Sequence, residues 1–302
     1  LPMHTATRLA IEVLPKIKNL NSSAHLAFYG LYATINKDLL RSLGGKTIIS
    51  GEFEDDLVQL YKQLVGRTFV SDSGLVSLKR QKFRKPKRSD LPDLNHYAKL
   101  INGKNHSINV GYTEGTRGCK HVCRHCPIVP VYNGRFFVVQ PDVVMEDIHQ
   151  QVKAGAEHIT FGDPDFFNGP GHALKLVEYF NQEFPNLTYD VTIKVEHLLA
   201  HREKLHLLAE TGCLFITTAV EEVDDDVLCK LEKSHTRADF LEVVHYTNTT
   251  DLRLSPTFIP FHPWTTPFGF VDLLSMISEL DLIENVSPVQ LGIRLLLPKG
   301  SR

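Results

Sequence analysis

The stretch GCKHVCRHCPI, residues 118–128, places three cysteines within eight positions. Cys119 and Cys123 are separated by three residues, and Cys123 and Cys126 by two. Thiolates are soft ligands that suit zinc ions and iron–sulfur clusters, and neighbouring thiols also form disulfides. The sequence therefore first raises the question of which of these three species the cysteine loop, residues 118–128, holds.

The spacing by itself leaves zinc and an iron–sulfur cluster both open. A structural zinc ion takes four protein ligands, often as two separated pairs, so His121 or His125 would have to be the fourth ligand here. A 4Fe–4S cluster normally takes four cysteines, so three leave one iron with an open coordination site, which is a catalytic arrangement. A disulfide is less favoured, because three thiols this close compete and the chain lacks the pattern of a secreted disulfide framework.

The composition is that of an ordinary globular chain of 302 residues, with 42% hydrophobic and 23% charged residues. The net charge of −2 gives no reason to expect nucleic acid or an anionic membrane as a partner. No apolar run is long enough to cross a bilayer, and the first residues lack a signal pattern, so we expect a cytoplasmic protein. The remaining cysteines, Cys213 and Cys229, lie beside apolar residues and are expected to be buried packing residues.

Strands and helices alternate over residues 1–78, which predicts a small α/β domain with parallel strands. The predicted elements are helices over 5–18, 36–43 and 51–64, and strands over 24–30 and 46–50. A doubly wound domain normally opens with a strand, whereas this one opens with a helix. We therefore expect that the first strand and loop of a Rossmann-like domain precede this sequence.

Residues 79–105 are predicted to be a basic linker. Seven of the ten residues from Lys79 to Arg88 are Lys or Arg, which would also suit a nucleic-acid patch. A solvated interdomain stretch is the favoured interpretation, because Phe83 is the only aromatic residue among these charges.

From residue 106 to residue 302 the pattern predicts six β/α repeats. The six predicted strands are 107–115, 158–165, 189–196, 213–222, 252–261 and 289–298. A complete eight-stranded barrel typically needs about 250 residues, so the expected fold is a partial (β/α)6 TIM-like barrel or an open sheet, truncated at its C-terminus. Barrel active sites lie at the C-terminal ends of the strands, where this sequence repeatedly places acidic residues.

The cysteine loop, following the first predicted barrel strand, resembles the signature of the radical S-adenosylmethionine (radical SAM) superfamily. The resemblance implies that Cys119, Cys123 and Cys126 hold a 4Fe–4S cluster whose unique iron chelates S-adenosylmethionine. Reductive cleavage of that cofactor then yields a 5′-deoxyadenosyl radical, which abstracts hydrogen from a substrate. His125 stands where the family usually has an aromatic residue near the adenine.

The same resemblance assigns roles to residues after the later strands. Gly162, Asp163 and Asp165 lie where the family has a Gly-Gly-Glu-like turn that meets the methionine amino group, and either aspartate would supply the acid. Asp165 also suits a helix N-cap. Glu196 and Glu221 stand at predicted strand ends, where the family contacts the ribose and the methionine carboxylate region, although each alone is equally typical of an exposed loop.

The N-terminal residues resemble the second half of the cobalamin-binding-type domain that precedes many radical SAM barrels. Gly51 and Glu52 fall at the turn that ends that domain. The family's cobalamin-binding histidine motif would lie before Leu1, so the resemblance allows cobalamin in a longer chain without placing its ligand in this one. A degenerate domain that binds no cobalamin is the alternative.

Two segments, FGDPDFFNGP and HCPIVPVYNGRF, also resemble a radical SAM subgroup with a C-terminal cysteine or selenocysteine tail, the CUAEP/CCAEP-tail proteins. Such a tail would lie beyond Arg302.

Three functions follow as hypotheses. The first is a radical SAM enzyme that acts on a small molecule or peptide and takes electrons from a donor such as flavodoxin or ferredoxin. The second is a cobalamin-dependent radical SAM methyltransferase. The third is a non-catalytic, zinc-stabilised binding module whose basic linker contacts RNA.

Overall fold

The computed structural model describes residues 1–66, 75–102 and 106–301, which fall into two compact units. The N-terminal unit comprises Leu1–Gln81, Lys120–Arg135 and Leu296–Arg302. The barrel unit comprises Lys82–Cys119 and Phe136–Leu295. The structure therefore places most of the cysteine loop in the unit that also contains the N-terminal α/β segment, a division that differs from the predicted boundaries at 78 and 105.

A parallel three-stranded sheet forms the centre of the N-terminal unit. Its strands, in the order β1-β2-β3, are β1 (Ala27–Tyr29), β2 (Thr47–Gly51) and β3 (Leu75–Ser77). The helices of this unit are α1 (His4–Leu20), α2 (Leu31–Ile35), α3 (Lys37–Ser42), α4 (Glu54–Val65) and α5 (Val129–Tyr132). The predicted alternation of strands and helices with parallel pairing is confirmed, and the predicted helix over 36–43 corresponds to α3.

The turn after β2 requires a glycine. Gly51 has a φ of 76°, in the left-handed region, and a Cβ atom there would collide with the carbonyl oxygen of Ser77 on the neighbouring strand. The next amide, of Glu52, donates to the same carbonyl over 2.7 Å. This tight turn ends β2 and leads to the buried Glu52.

The barrel unit is built on a six-stranded sheet. The strands of the unit are β4 (Lys99–Asn102), β5 (His106–Thr113), β6 (Thr116–Gly118), β7 (Phe136–Val138), β8 (His158–Phe161), β9 (Thr188–Thr192), β10 (Cys213–Glu221) and β11 (Arg253–Phe258). The large sheet has the order β11-β10-β9-β8-β5-β4, and all its pairs are parallel except β4 with β5. Strands β6 and β7 form a separate antiparallel pair.

Helices follow the parallel strands and cover one face of the sheet, which confirms the predicted α/β partial barrel. They are α6 (Pro141–Lys153), α7 (Pro170–Glu183), α8 (Val195–Ala200), α9 (Leu205–Glu210), α10 (Asp225–Lys230), α11 (Arg237–Thr247) and α12 (Pro267–Glu279). Phe161 and Tyr189 lie on the helix-covered face, with ring centroids 6.1 and 5.3 Å from Phe180 of α7. Because side chains alternate along a strand, His158 and Asp190 lie on the opposite face, called the inner face below.

The predicted linker over 79–105 contains structure that the sequence analysis missed. Its residues 99–102 form β4, which pairs with β5 at the edge of the sheet. Arg88 also docks on α6, with Nε and Nη2 each 2.7 Å from a carboxylate oxygen of Asp147. A four-residue edge strand is too short to show periodicity, and its position is set by the backbone groups that β5 exposes.

The side chain of Gln151 provides hydrogen-bond partners for backbone groups of β5 that β4 does not pair with. Its Oε1 accepts from the Tyr112 amide over 2.7 Å, and its Nε2 donates to the Tyr112 carbonyl over 3.0 Å. These two bonds imitate those of a neighbouring strand. The open edge of the sheet is therefore closed by α6 rather than by a further strand.

The predicted strand over 289–298 is not a strand. Pro288–Gly292 forms a 3-10 turn, followed by a single parallel bridge between Phe261 and Arg294. Phe261 lies between Pro260 and a second proline two residues later, and proline lacks the amide hydrogen that a strand ladder needs. The segment therefore follows the end of β11 without extending the sheet.

The two cysteines outside the cysteine loop differ in exposure. Cys213 is buried, as predicted, whereas Cys229 is exposed on α10, so the expectation for Cys229 is wrong.

A search of the described residues finds no helix with the length and apolarity needed to cross a membrane.

Candidate metal centre and cofactor site

The cysteine loop follows the short strand β6 rather than β5 itself. Cys119 is the last residue of its barrel-unit segment and is buried, while Cys123 and Cys126 belong to the N-terminal unit. The Cys126 amide donates to the Cys123 carbonyl over 3.1 Å, and the Val129 amide donates to the Cys126 carbonyl over 3.3 Å. These turns lead from the last cysteine into α5. None of the five cysteines of the chain forms a disulfide.

Glu52 holds the helix that follows the cysteine loop. Its carboxylate is almost fully buried, and its Oε1 accepts from the hydroxyl of Tyr132 on α5 over 3.0 Å. Gln81 Nε2 donates to Glu52 Oε2 over 3.2 Å and to Glu54 Oε2 over 2.6 Å. The sequence analysis marked Glu52 as a turn residue but missed Tyr132, because no local pattern links positions so far apart in the chain.

His125 lies in the N-terminal unit, immediately before Cys126, and its side chain is half-buried. That His125 lies near the adenine ring of a bound cofactor stays a prediction.

Asp163 ties the end of β8 to the segment that leads into β6. Its Oδ2 accepts from the Gly115 amide over 2.8 Å, and its Oδ1 accepts from the Thr116 hydroxyl over 2.6 Å. Burial raises the pKa of this carboxyl to about 7, although the hydrogen bonds from Thr116 and Gly115 act in the opposite direction. Asp163 thus fixes the path of the chain toward the cysteines.

Gly162 precedes this aspartate, and its lack of a side chain leaves room for a neighbour. Its amide donates to the Thr113 carbonyl over 2.8 Å, and the ring of Tyr112 occupies the space that a Cβ atom would need. A larger residue would require the Tyr112 ring to move.

Asp165 is fully buried and has two partners in the barrel unit. Its Oδ1 accepts from the Phe167 amide over 3.1 Å, and its Oδ2 lies 2.6 Å from His197 Nδ1. The N-cap expected from the sequence is therefore present, on a 3-10 turn rather than on an α-helix. His197 was not identified from the sequence, since it lies on α8, after the next strand.

Glu196 does not lie at the end of a strand. Strand β9 ends at Thr192, and Glu196 belongs to the first turn of α8, where the helix dipole favours a carboxylate. Lys194 Nζ lies 3.4 Å from Glu196 Oε2, and this lysine is almost fully buried. The predicted strand over 189–196 was too long because its apolar alternation continues into the helix.

Glu221 is the last residue of β10, as predicted, with a φ of 73°. Its Oε1 lies 3.0 Å from Lys233 Nζ, and both side chains are buried. The next residue, Glu222, has its Oε2 2.7 Å from Nε2 of His262. Lys233 and His262 are further site residues that sequence reasoning missed.

A buried histidine, His235, lies beside the end of β10. It donates from Nε2 to the Val220 carbonyl over 3.2 Å, and has a pKa lowered to about 4 by burial and by Lys233 and Lys194. Both ammonium groups have a carboxylate partner, since Lys233 lies beside Glu221 and Lys194 beside Glu196.

Comparison with known proteins identifies the family. The model of the radical SAM superfamily matches residues 113–275, just over half of the sequence. The chain belongs to the radical SAM superfamily. Enzymes of this superfamily use a 4Fe–4S cluster and S-adenosylmethionine, and the hypothesis of a non-catalytic zinc module is therefore abandoned. No curated protein matches the chain in sequence.

Solved structures share the fold at low sequence identity. The radical S-adenosylmethionine methyltransferase TsrM from Kitasatospora setae, with tryptophan substrate and a SAM analog bound, superposes with a TM-score of 0.74 at 16% identity, covering 90% of this chain and 56% of TsrM. The cobalamin-dependent S-adenosylmethionine radical enzyme OxsB, with aqua-cobalamin and S-adenosylmethionine bound, gives a TM-score of 0.63 at 12% identity, covering 90% of this chain and 41% of OxsB. The chain spans about half the length of these enzymes.

We predict that Tyr132→Phe destabilises the N-terminal unit by about 1 kcal/mol or more, because a buried carboxylate loses a hydroxyl donor. Urea unfolding measures the change, and iron content after anaerobic reconstitution should fall with it. Tyr61→Phe, at an exposed position on α4, is the matched control and should change neither quantity. Equal stability and iron content in the Tyr132 variant and the wild type would show that the Glu52 contact does not hold the loop.

We predict that Asp163 gives the stability a specific pH dependence. The raised pKa means that the folded state keeps a proton that the unfolded state loses near its ordinary pKa of about 4. The free energy of unfolding should therefore fall as the pH rises from about 4 to about 7, by at most about 1.4 kcal/mol per pH unit.

Asp163→Asn remains neutral and should lack this slope, so the difference between the two urea-unfolding series isolates the carboxyl. The exposed Asp226→Asn serves as the control. Parallel curves for the wild type and Asp163→Asn would mean that the buried carboxyl is ionised throughout.

Proposed function

We propose that this chain forms the catalytic core of a radical SAM enzyme in which Cys119, Cys123 and Cys126 hold a 4Fe–4S cluster. The observation that supports this most directly is the set of three thiols on one loop, ahead of the strands β8, β9 and β10. Their soft donor atoms suit iron. No disulfide occupies them, and the local turn between Cys123 and Cys126 is fixed by a backbone hydrogen bond.

When bound, the cluster would supply the electron that cleaves S-adenosylmethionine and so starts hydrogen abstraction from the substrate. The electrons would come from a cytoplasmic donor such as flavodoxin or ferredoxin. The role of the chain is to position the thiols and to bind the cofactor. Glu52 and Tyr132 hold the C-terminal end of the cysteine loop, and Asp163 fixes the segment before its first cysteine.

The cofactor would bind at the C-terminal ends of the parallel strands. By resemblance to the family, the Gly162–Asp165 turn would meet its amino group, and Glu196 and Glu221 would contact the ribose and carboxylate region. Because both carboxylate oxygens of Asp163 and of Asp165 have partners within the protein, we propose that the backbone of this turn binds the amino group and that the aspartates position that backbone. Lys194 and Lys233 would hold the carboxylates of Glu196 and Glu221 in position.

Cobalamin-dependent methyl transfer is the second candidate. The likeness to TsrM and OxsB covers 90% of this chain, and therefore extends beyond the barrel unit into the N-terminal α/β segment. Both neighbours are described with cobalamin bound. The parallel sheet β1-β2-β3 is of the type expected for the second half of such a cobalamin domain.

We predict that Cys123→Ala abolishes 5′-deoxyadenosine formation from S-adenosylmethionine under reducing, anaerobic conditions. The wild type, reconstituted with iron and sulfide, should show the brown colour of the cluster and form the product. Cys229→Ala, at an exposed cysteine on α10, should behave as the wild type. Product formation by Cys123→Ala at the rate of Cys229→Ala would refute the ligand assignment.

We predict that the reconstituted protein binds hydroxocobalamin if the second candidate is right. Equilibrium dialysis against the full chain, followed by visible spectroscopy of the retained fraction, measures the binding. Retention of cobalamin favours methyl transfer, and its absence together with 5′-deoxyadenosine formation favours hydrogen abstraction without cobalamin.

A further inference from the structure

Residues 88–98 of the predicted linker enclose a cavity of about 920 Å³ against the barrel sheet. One wall comes from β5 and β8, where Tyr112 and Thr160 are paired neighbours on the inner face. The C-terminal end of α6 forms a second wall, and the linker forms the third. All these residues belong to the barrel unit. Sites for small organic molecules usually measure about 300–1,000 Å³, so the cavity has the size of such a site.

The linker is fixed on both sides of the cavity. On one side, the Arg88 guanidinium binds Asp147, and Gln150 Oε1 accepts from the Arg88 amide over 3.2 Å. On the other side, β4 begins at Lys99 and pairs with β5. The residues between these two anchors line the cavity and include the 3-10 turn Leu94–His96. The cavity is therefore preformed, which spares a ligand the cost of ordering the protein.

Three large hydrophobic side chains of the wall are exposed to solvent. Leu91 is 50% exposed, Tyr97 48% and Tyr112 49%. The transfer of apolar surface out of water is favourable. An apolar ligand in this cavity would cover part of these side chains and would gain binding free energy from doing so.

The polar side chains of the wall leave a ligand few hydrogen-bond partners. Gln151 uses both ends of its amide on the backbone of Tyr112, and the Thr160 hydroxyl donates to Asp190 over 2.6 Å. Both ends of the Gln150 amide are likewise bound to backbone groups of the linker. A polar group of a ligand would lose its hydration here without gaining an equivalent partner.

The charges of the wall favour a neutral ligand. The charge of Arg88 is compensated by Asp147, with two contacts of 2.7 Å. Lys153 and Asp93 are exposed to solvent and opposite in sign. The wall therefore presents no buried charge that an ionised ligand would neutralise.

We propose that this cavity is a binding site for a neutral, largely apolar molecule that contains a ring, held by Leu91, Tyr97 and Tyr112. Aromatic side chains pack well against rings, either offset or edge to face. The site needs neither the cluster nor S-adenosylmethionine, so this proposal is independent of the proposed function.

The test uses two fluorescent probes, N-phenylnaphthylamine and its sulfonated derivative anilinonaphthalenesulfonate, on the reconstituted full chain. The two share one carbon skeleton, and only the second carries a charge. The wild type should bind the neutral probe about tenfold or more tightly, because the sulfonate would lose its hydration without a partner.

Two pairs of variants locate the probe. Leu91→Gln should weaken binding of the neutral probe about fivefold, whereas Leu39→Gln, 47% exposed on α3, should not change it. Ala154→Trp fills part of the cavity and should weaken binding about tenfold or more. Ala238→Trp, at an exposed position on α11, is its control.

Fluorescence titration gives the affinities. Equal or tighter binding of the sulfonated probe by the wild type would overturn the proposal, as would equal affinity of Ala154→Trp and Ala238→Trp for the neutral probe. If circular dichroism shows that Ala154→Trp does not fold, the comparison of Leu91→Gln with Leu39→Gln decides. Failure of the proposed function shows separately, as a wild type that binds the neutral probe but forms no 5′-deoxyadenosine.

Discussion

The parallel pairing of β5, β8, β9, β10 and β11 is the constraint on which the barrel unit depends. Parallel strands must be joined by crossovers, and right-handed crossovers place every helix on the same face of the sheet. The carboxyl ends of the strands consequently meet at one edge. Residues that are far apart in the sequence, such as Asp163 after β8 and Glu221 at the end of β10, reach that edge because of this topology alone.

Burial of charge at this edge has a physical consequence for each side chain. An ionised group removed from water is costly unless it is paired or hydrogen-bonded. Asp165 has His197, Glu221 has Lys233, and Glu222 has His262, all within the barrel unit. A cofactor arriving at this edge would therefore meet side chains whose directions are already fixed, which is the preorganisation that catalysis requires.

The local features of the sequence were predicted well, and the features that depend on contacts between distant residues were not. The spacing of Cys119, Cys123 and Cys126 and the alternation of strands and helices are visible in short windows. Strand β4 was missed because only the exposed edge of β5 gives those residues a partner. The predicted sixth strand does not form because prolines on both sides of Phe261 interrupt the segment with which it would pair. Glu196 was placed at a strand end because apolar alternation does not show where β9 ends.

The sequence alone determined the family of this protein, since three cysteines with this spacing restrict the chemistry to very few metal centres, and a sequence model needs no folded structure to detect them. It also determined the alternating α/β class, because hydrophobic periodicity is a local property of the chain. Only the tertiary structure decided that Tyr132 is held by Glu52, that Asp163 fixes the path to the cysteines, and that Asp165 pairs with His197. These contacts depend on which elements lie side by side. That arrangement is set by burial and by backbone hydrogen bonding over the whole unit.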